Sequence, residues 1–191
     1  MNEVELAGVL EFLRAAEALK NVHRTAWTST GQRESVAEHT WRLCLMAIVL
    51  APELGAVDMA KLLKMCVIHD LGEALGGDIP AIEQDPLAPK SGAERHDLLA
   101  LIEPLPEPTR AEILALGDEY EGAASAEARI AKALDKLETI MQHNQGANPA
   151  GFDYAFNLGY GTRYTTGHPL IDRIRSLLDA ETEANARTTD G

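Results

Sequence analysis

The run Leu62-Leu63-Lys64-Met65-Cys66-Val67-Ile68 carries a single charge and ends in the adjacent pair His69-Asp70. A helix through such a run is buried on most of its sides, so other helices must pack around it. Two ionisable side chains at the end of that helix need partners, because even a neutral polar group buried alone costs about 2–7 kcal/mol. A metal ion suits one imidazole beside one carboxylate.

The rest of the chain supplies the surrounding helices. Residues 3–20 carry Val4, Leu6, Leu10, Leu13 and Leu19 at helical spacing. The polar stretch 21–34, with Gly31, predicts a loop. Ser35-Val36-Ala37-Glu38 is a capping box that starts a helix running to about Ala51. Asp58 caps the next helix, which the pattern carries to Gly76-Gly77. Further helices are expected at about 91–103, 107–121, 125–144 and 169–182, with prolines or Ser125 at several of their starts. Strand-like alternation and internal repeats are not evident. The expected architecture is all-α, a single-domain helical bundle over residues 1–182 with a frayed tail at 183–191. The Gly-rich connection 145–167 holds Phe152, Tyr154, Phe156, Tyr160 and Tyr164. Such aromatic density predicts an ordered loop packed over its own domain or a dimer partner, with a substrate lid as the alternative.

Charge narrows the function classes. A net charge of −13 and a pI near 4.8, without a run of Lys and Arg, argue against a nucleic-acid partner. No apolar stretch approaches a membrane span, and the start MNEVELAG lacks the basic region of a signal peptide. Cys44 and Cys66 lie in apolar helical runs, which predicts buried free thiols in a reducing compartment and a cytoplasmic protein. A small anionic substrate is compatible with this charge where a cation and an arginine reverse the sign inside a pocket.

Several ionisable residues point toward the core. His39 is in line with Val36, Leu43, Met46 and Leu50, and Cys66, His69, Asp70 and Glu73 form a second helical series. Asp135 sits at the edge of the stripe Ile130, Leu134, Leu137 and Met141, with small Ala128 and Ala131 on its side. Taken singly, His39 is more often a satisfied core histidine and Asp135 a solvated or salt-bridged carboxylate. Together they give two nitrogens and two oxygens, a set suited to Mn, Fe, Co, Ni or Zn. Mixed imidazole and carboxylate ligation leaves positions open to water or substrate, so the site reads as catalytic rather than structural.

At these residues the chain resembles the HD-domain metal-dependent phosphohydrolase superfamily, whose pattern H…HD…D is met here by His39, His69-Asp70 and Asp135. HRTAW, ESVAEHTWRL, IHDLGEALGGDIP, SAEARIAKALDKLE and HPLI make the 5′-deoxynucleotidase branch the most similar. The resemblance implies that His39, His69, Asp70 and Asp135 hold one divalent transition metal. It implies that Glu73 helps activate the attacking water and that Asp78 orients the sugar or serves in acid–base chemistry. Arg24 would bind the 5′-phosphate, and Trp27, Asp78 and Ile79 would complete the substrate contacts. Arg24 and Trp27 are separated by Thr25 and Ala26, a spacing more similar to the branch found also in eukaryotes. A homodimer is implied as well. The function expected is a metal-dependent 5′-nucleotidase acting on (deoxy)nucleoside monophosphates. The alternatives are hydrolysis of another phosphorylated metabolite, such as a triphosphate or an alarmone, and a metal-binding HD module without activity.

Overall fold

Helix α7 (Ala126–Gln145), capped by the Ser125 side chain on the Ala128 amide, is the axis around which the other elements pack. A computed structural model describes residues 1–78 and 90–189, the side chains of 90 and 91 excepted. In chain order the helices are α1 (Glu3–Ala15), α2 (Val36–Leu50), α3 (Met59–Ile68), α4 (Glu73–Gly76), α5 (Lys90–Ile102) and α6 (Glu107–Glu121), then α7, α8 (Phe156–Gly159) and α9 (Pro169–Thr189). Leu134, Leu137 and Ile140 of α7 meet Leu43 of α2, Leu62 and Met65 of α3, and Ile171 of α9 in one buried core. Ala128 and Ala131, fully buried, allow these neighbours to approach closely. A second core joins Leu19, Val36, Ile68, Leu98 and Ile102 under α1 and α5. The helical bundle expected from the sequence is therefore the fold, and the Ser35 capping box forms as read, with Glu38 returning to the Ser35 amide at 2.7 Å.

Four local expectations are corrected. The stretch 21–34 holds a short antiparallel hairpin, β1 (His23–Trp27) and β2 (Arg33–Ser35), with His23 opposite Ser35 and Trp27 opposite Arg33. Strands this short carry no readable alternation, and long-range bonds hold them. The Arg33 guanidinium donates to Arg24 O at 2.9 Å, and Gln142 of α7 donates to Trp27 O.

The first helix stops at Ala15, followed by a 3-10 turn Ala16–Lys20. Its expected apolar face is turned outward: Val4, Leu6, Leu10 and Leu13 are exposed, while Val9 and Phe12 pack inward. Gly8 decides this, since a Cβ there would lie 2.0 Å from Pro104 O.

The helix from Asp58 breaks at the pair it was expected to carry, because α3 ends at Ile68 and α4 begins at Glu73. In a continuing helix the Asp70 amide would bond to Cys66 O. Here that carbonyl accepts the His69 Nδ1–H at 2.9 Å, and the chain tightens through Leu71 N to Ile68 O and Glu73 N to Asp70 O. Finally, the expected frayed tail is helical through Thr189, held where Thr182 and Asn185 bond to Asn144 of α7 at 2.9 Å each.

The 145–167 connection is packed onto its own domain. Arg175 of α9, only 6% exposed, donates to the carbonyls of Asn157, Leu158 and Tyr160, to Thr165 Oγ1 and to Asp179. Arg175→Ala would strand these acceptors in a dry environment. It is expected to cost about 3 kcal/mol or more of stability, read as a lowered midpoint in urea.

His143 is half-buried between this loop and β1, and desolvation there pulls its pKa below the ordinary 6.5 although Nδ1 donates to Asn157 Oδ1 at 2.9 Å. The unfolded chain therefore takes up this proton at a higher pH than the folded one. Stability contributed by neutral His143 is complete above about pH 6.5 and declines on acidification below it. His143→Gln is expected to flatten that slope in denaturation curves recorded from pH 7.5 to 5.

Candidate metal centre

Three buried elements deliver the donor atoms. His39 comes from the second turn of α2, His69 and Asp70 from the turn after α3, and Asp135 from the middle of α7. His39 Nε2 lies 3.2 Å from Asp135 Oδ1 and 4.0 Å from Asp70 Oδ2, and His69 Nε2 lies 3.0 Å from Asp70 Oδ2 and 3.9 Å from Asp135 Oδ1. Ligand atoms of His39, His69 and Asp70 all fall within 4.8 Å of one another. Both Nε2 atoms are buried and make no hydrogen bond, despite these carboxylates. Imidazole nitrogens converging with carboxylate oxygens, at separations a single ion can span, fit a divalent metal. The four residues singled out in the sequence are thus brought together.

The outer edges of the donors are held from behind. His69 Nδ1 is fixed by Cys66 O, as described. Asp135 Oδ2 accepts from Tyr120 at 3.1 Å and pairs with Lys136 at 2.9 Å, which leaves Oδ1 turned to the histidines. Glu138, fully buried, contacts His39 Nδ1 and accepts from Arg42 Nε at 2.7 Å. Burial and Arg24 depress the His39 pKa, yet Glu138 and Asp135 carry it up to about 9. Burial raises the Asp70 carboxyl, but the adjacent His69 more than reverses this and holds it below the usual carboxylate range. For Asp135, burial is likewise outweighed, by Lys136 and His39.

The remaining expected residues spread outward from this centre. Glu73, 3% exposed, opens α4 one turn beyond Asp70. With Ile68, His69 and Asp70 it lines a cavity of about 290 Å³ whose far side includes Arg95 and Asp118. Asp78 is half-buried and follows Gly77, whose φ of +80° turns the chain at the end of α4; Ile79 lies outside the described residues. Arg24 reaches α7 one turn past Asp135. Its guanidinium pairs with Glu34 at 3.0 Å, donates to Thr139 at 2.8 Å and reaches Glu138, which also meets His39 Nδ1. Trp27 meets α7 at Gln142, which is about 10 Å further along the helix than Asp135 at 1.5 Å per residue. Its ring packs edge-on against Phe152.

Sequence reading missed Glu34, Arg42, Tyr120, Lys136 and Glu138. A signal was present for two of them. Glu138 follows Asp135, and Arg42 follows His39, by the three residues that share a helix face. Tyr120 and Glu34 arrive from elements whose packing no local pattern announces.

The HD-domain family model matches residues 16–175. A 5′-deoxynucleotidase HDDC2 of Bos taurus is 32% identical, covering 93% of this chain and 87% of its own length. The Dictyostelium discoideum protein of the same name is 32% identical over 92% of this chain and 99% of its own. Among solved structures, one from Magnetospirillum magnetotacticum, given as a predicted metal-dependent phosphohydrolase, superposes with a TM-score of 0.79 at 29% identity and 97% coverage of both chains.

Proposed function

We propose, for a chain that belongs to the HD-domain family, that it is a metal-dependent 5′-nucleotidase converting (deoxy)nucleoside 5′-monophosphates and water to nucleoside and phosphate. The observation that carries this reading is the convergence of His39 Nε2 and His69 Nε2, neither hydrogen-bonded, on Asp70 and Asp135 beside a cavity walled by Glu73. These four residues would hold one divalent transition metal. When bound, it supplies Lewis-acid polarisation of a phosphoryl oxygen and an acidified water.

The chain's own residues do the rest. Glu73, on the cavity wall beside Asp70, accepts the proton of the attacking water. The phosphorus–oxygen bond to the nucleoside breaks, and Asp78 orients the sugar or returns a proton to the departing 5′-oxygen. By the family resemblance, Trp27 and Ile79 would complete the substrate contacts. Arg24 contributes positive charge beside His39, its guanidinium held by Glu34 and Thr139. The test is phosphate release from a panel of ribo- and deoxyribonucleoside monophosphates with Mn or Co, with and without chelator. Release that is metal-dependent supports the reading; none from any monophosphate in the panel ends it.

The partner in this reading is a second copy. Trp41, Leu45, Ile48 and Val49 of α2 are 43–66% exposed and fall on one helix face. A single soluble chain rarely leaves such an apolar face to water. Trp41→Glu combined with Ile48→Glu is expected to convert dimer to monomer in light scattering; a dimer that persists would move the interface elsewhere. Among the described residues no helix is long and apolar enough to cross a membrane.

A further inference from the structure

We propose that Glu138 is a positioning residue that fixes which nitrogen of His39 faces the metal, and that Arg24 and Arg42 hold Glu138 to that task. The inference rests on the metal site proposed above and concerns the layer outside it.

A neutral imidazole offers a lone pair on one nitrogen only when the other keeps its proton. His39 is fully buried, so water cannot settle the choice. Its Nδ1 meets Glu138 Oε2, while Nε2 faces Asp135 Oδ1 at 3.2 Å. An ionised carboxylate only accepts, so the proton stays on Nδ1 and the lone pair on Nε2 points at the donor cluster.

Glu138 is itself restrained on both oxygens. Oε1 accepts from Arg42 Nε at 2.7 Å, and Oε2 lies 3.5 Å from Arg24 Nη1. Arg24 is anchored in turn by Glu34 at 3.0 Å and by Thr139 at 2.8 Å, and the Thr139 hydroxyl donates to Asp135 O at 3.0 Å. The layer therefore starts at one metal ligand and ends on the backbone of another. Glu34 and Glu138 are matched in charge by Arg24 and Arg42. Glu34, His39 and Glu138 crowd closely enough to suggest a second ion site, but the two arginines already supply its positive charge.

The experiment compares wild type, Glu138→Gln, Glu138→Asp and Arg24→Gln, each stripped by chelator and titrated with Co(II). Visible absorption reports ligand geometry, and calorimetry reports affinity. An amide presents one acceptor where Glu138 serves His39 and Arg42 with two. Glu138→Gln is therefore expected to weaken Co(II) binding about 10–100-fold and to change its spectrum. Glu138→Asp, which keeps the charge, should recover part of the loss, and Arg24→Gln should show a smaller loss of the same kind. Unchanged affinity and spectrum in Glu138→Gln, whatever happens to its melting temperature, would overturn the proposal. A raised KM with normal Co(II) affinity in Arg24→Gln would return that residue to direct phosphate contact.

A readout that needs no variant is the nitrogen NMR spectrum of His39 in the Zn-loaded wild type. A proton on Nδ1 is expected, and a proton on Nε2 overturns the assignment. Wild type that takes up no Co(II) would remove the metal reading and this inference together; normal uptake by wild type and Glu138→Gln alike removes the inference alone.

Discussion

Asp70→Ala is expected to abolish phosphate release, by about 1000-fold or more, and to leave a folded protein that no longer retains Mn or Co through gel filtration. The magnitude follows from losing several kcal/mol of transition-state stabilisation at roughly 1.4 kcal/mol per tenfold. Asp70 lies within 3.0 Å of His69 Nε2 and 4.0 Å of His39 Nε2, so its removal takes away the oxygen nearest the first and opens the cluster on one side. Chelation of the wild type should reproduce the same loss, and added Mn or Co should reverse it only there. Metal content near one equivalent in Asp70→Ala, with activity intact, would exclude this carboxylate from the ligand set. His69→Ala is expected to behave likewise.

Glu73→Gln separates chemistry from binding. The side chain is 3% exposed and shares a cavity wall with His69 and Asp70, yet it opens α4, beyond the turn that carries the ligands. An amide keeps its volume and cannot accept a proton. The expected result is a metal affinity near that of wild type and a kcat reduced about 100–10,000-fold, the range for losing a general base. KM should change little, because in the proposed reaction Glu73 serves the attacking water rather than the nucleoside. Loss of metal together with kcat would instead place Glu73 among the ligands.

The convergence of the four candidate donors was legible in the sequence because each lies on or beside an apolar helix stripe, and apolar periodicity is what a sequence records best. His39 in line with Leu43, and Asp135 beside Leu134, needed only the helical repeat. Less legible was anything decided by competition for a backbone group or by close approach of two elements. The break between α3 and α4 falls where the His69 side chain bonds the Cys66 carbonyl, the acceptor that the next helical amide would use. The outward turn of Leu6, Leu10 and Leu13 depends on Gly8 meeting Pro104, which lies far along the chain. Arg24 shows the limit most clearly. Its residue type suits a phosphate, and the carboxylates that hold it, Glu34 and Glu138, come from β2 and α7; only the folded chain brings them together.

The carbonyl of Cys66 links this site to the evolution of the fold's stability. It holds the imidazole of His69 at the point where a regular helix would run on toward Gly76. Selection for activity therefore holds the chain away from its most regular backbone at that point. On the proposed metal site, loss of His69 by drift is expected to silence the enzyme and to remove the side-chain bond that stands where α3 would continue. Inactive descendants of this fold should accordingly drift toward a longer, straighter third helix, and that lengthening would be a structural fossil of lost catalysis.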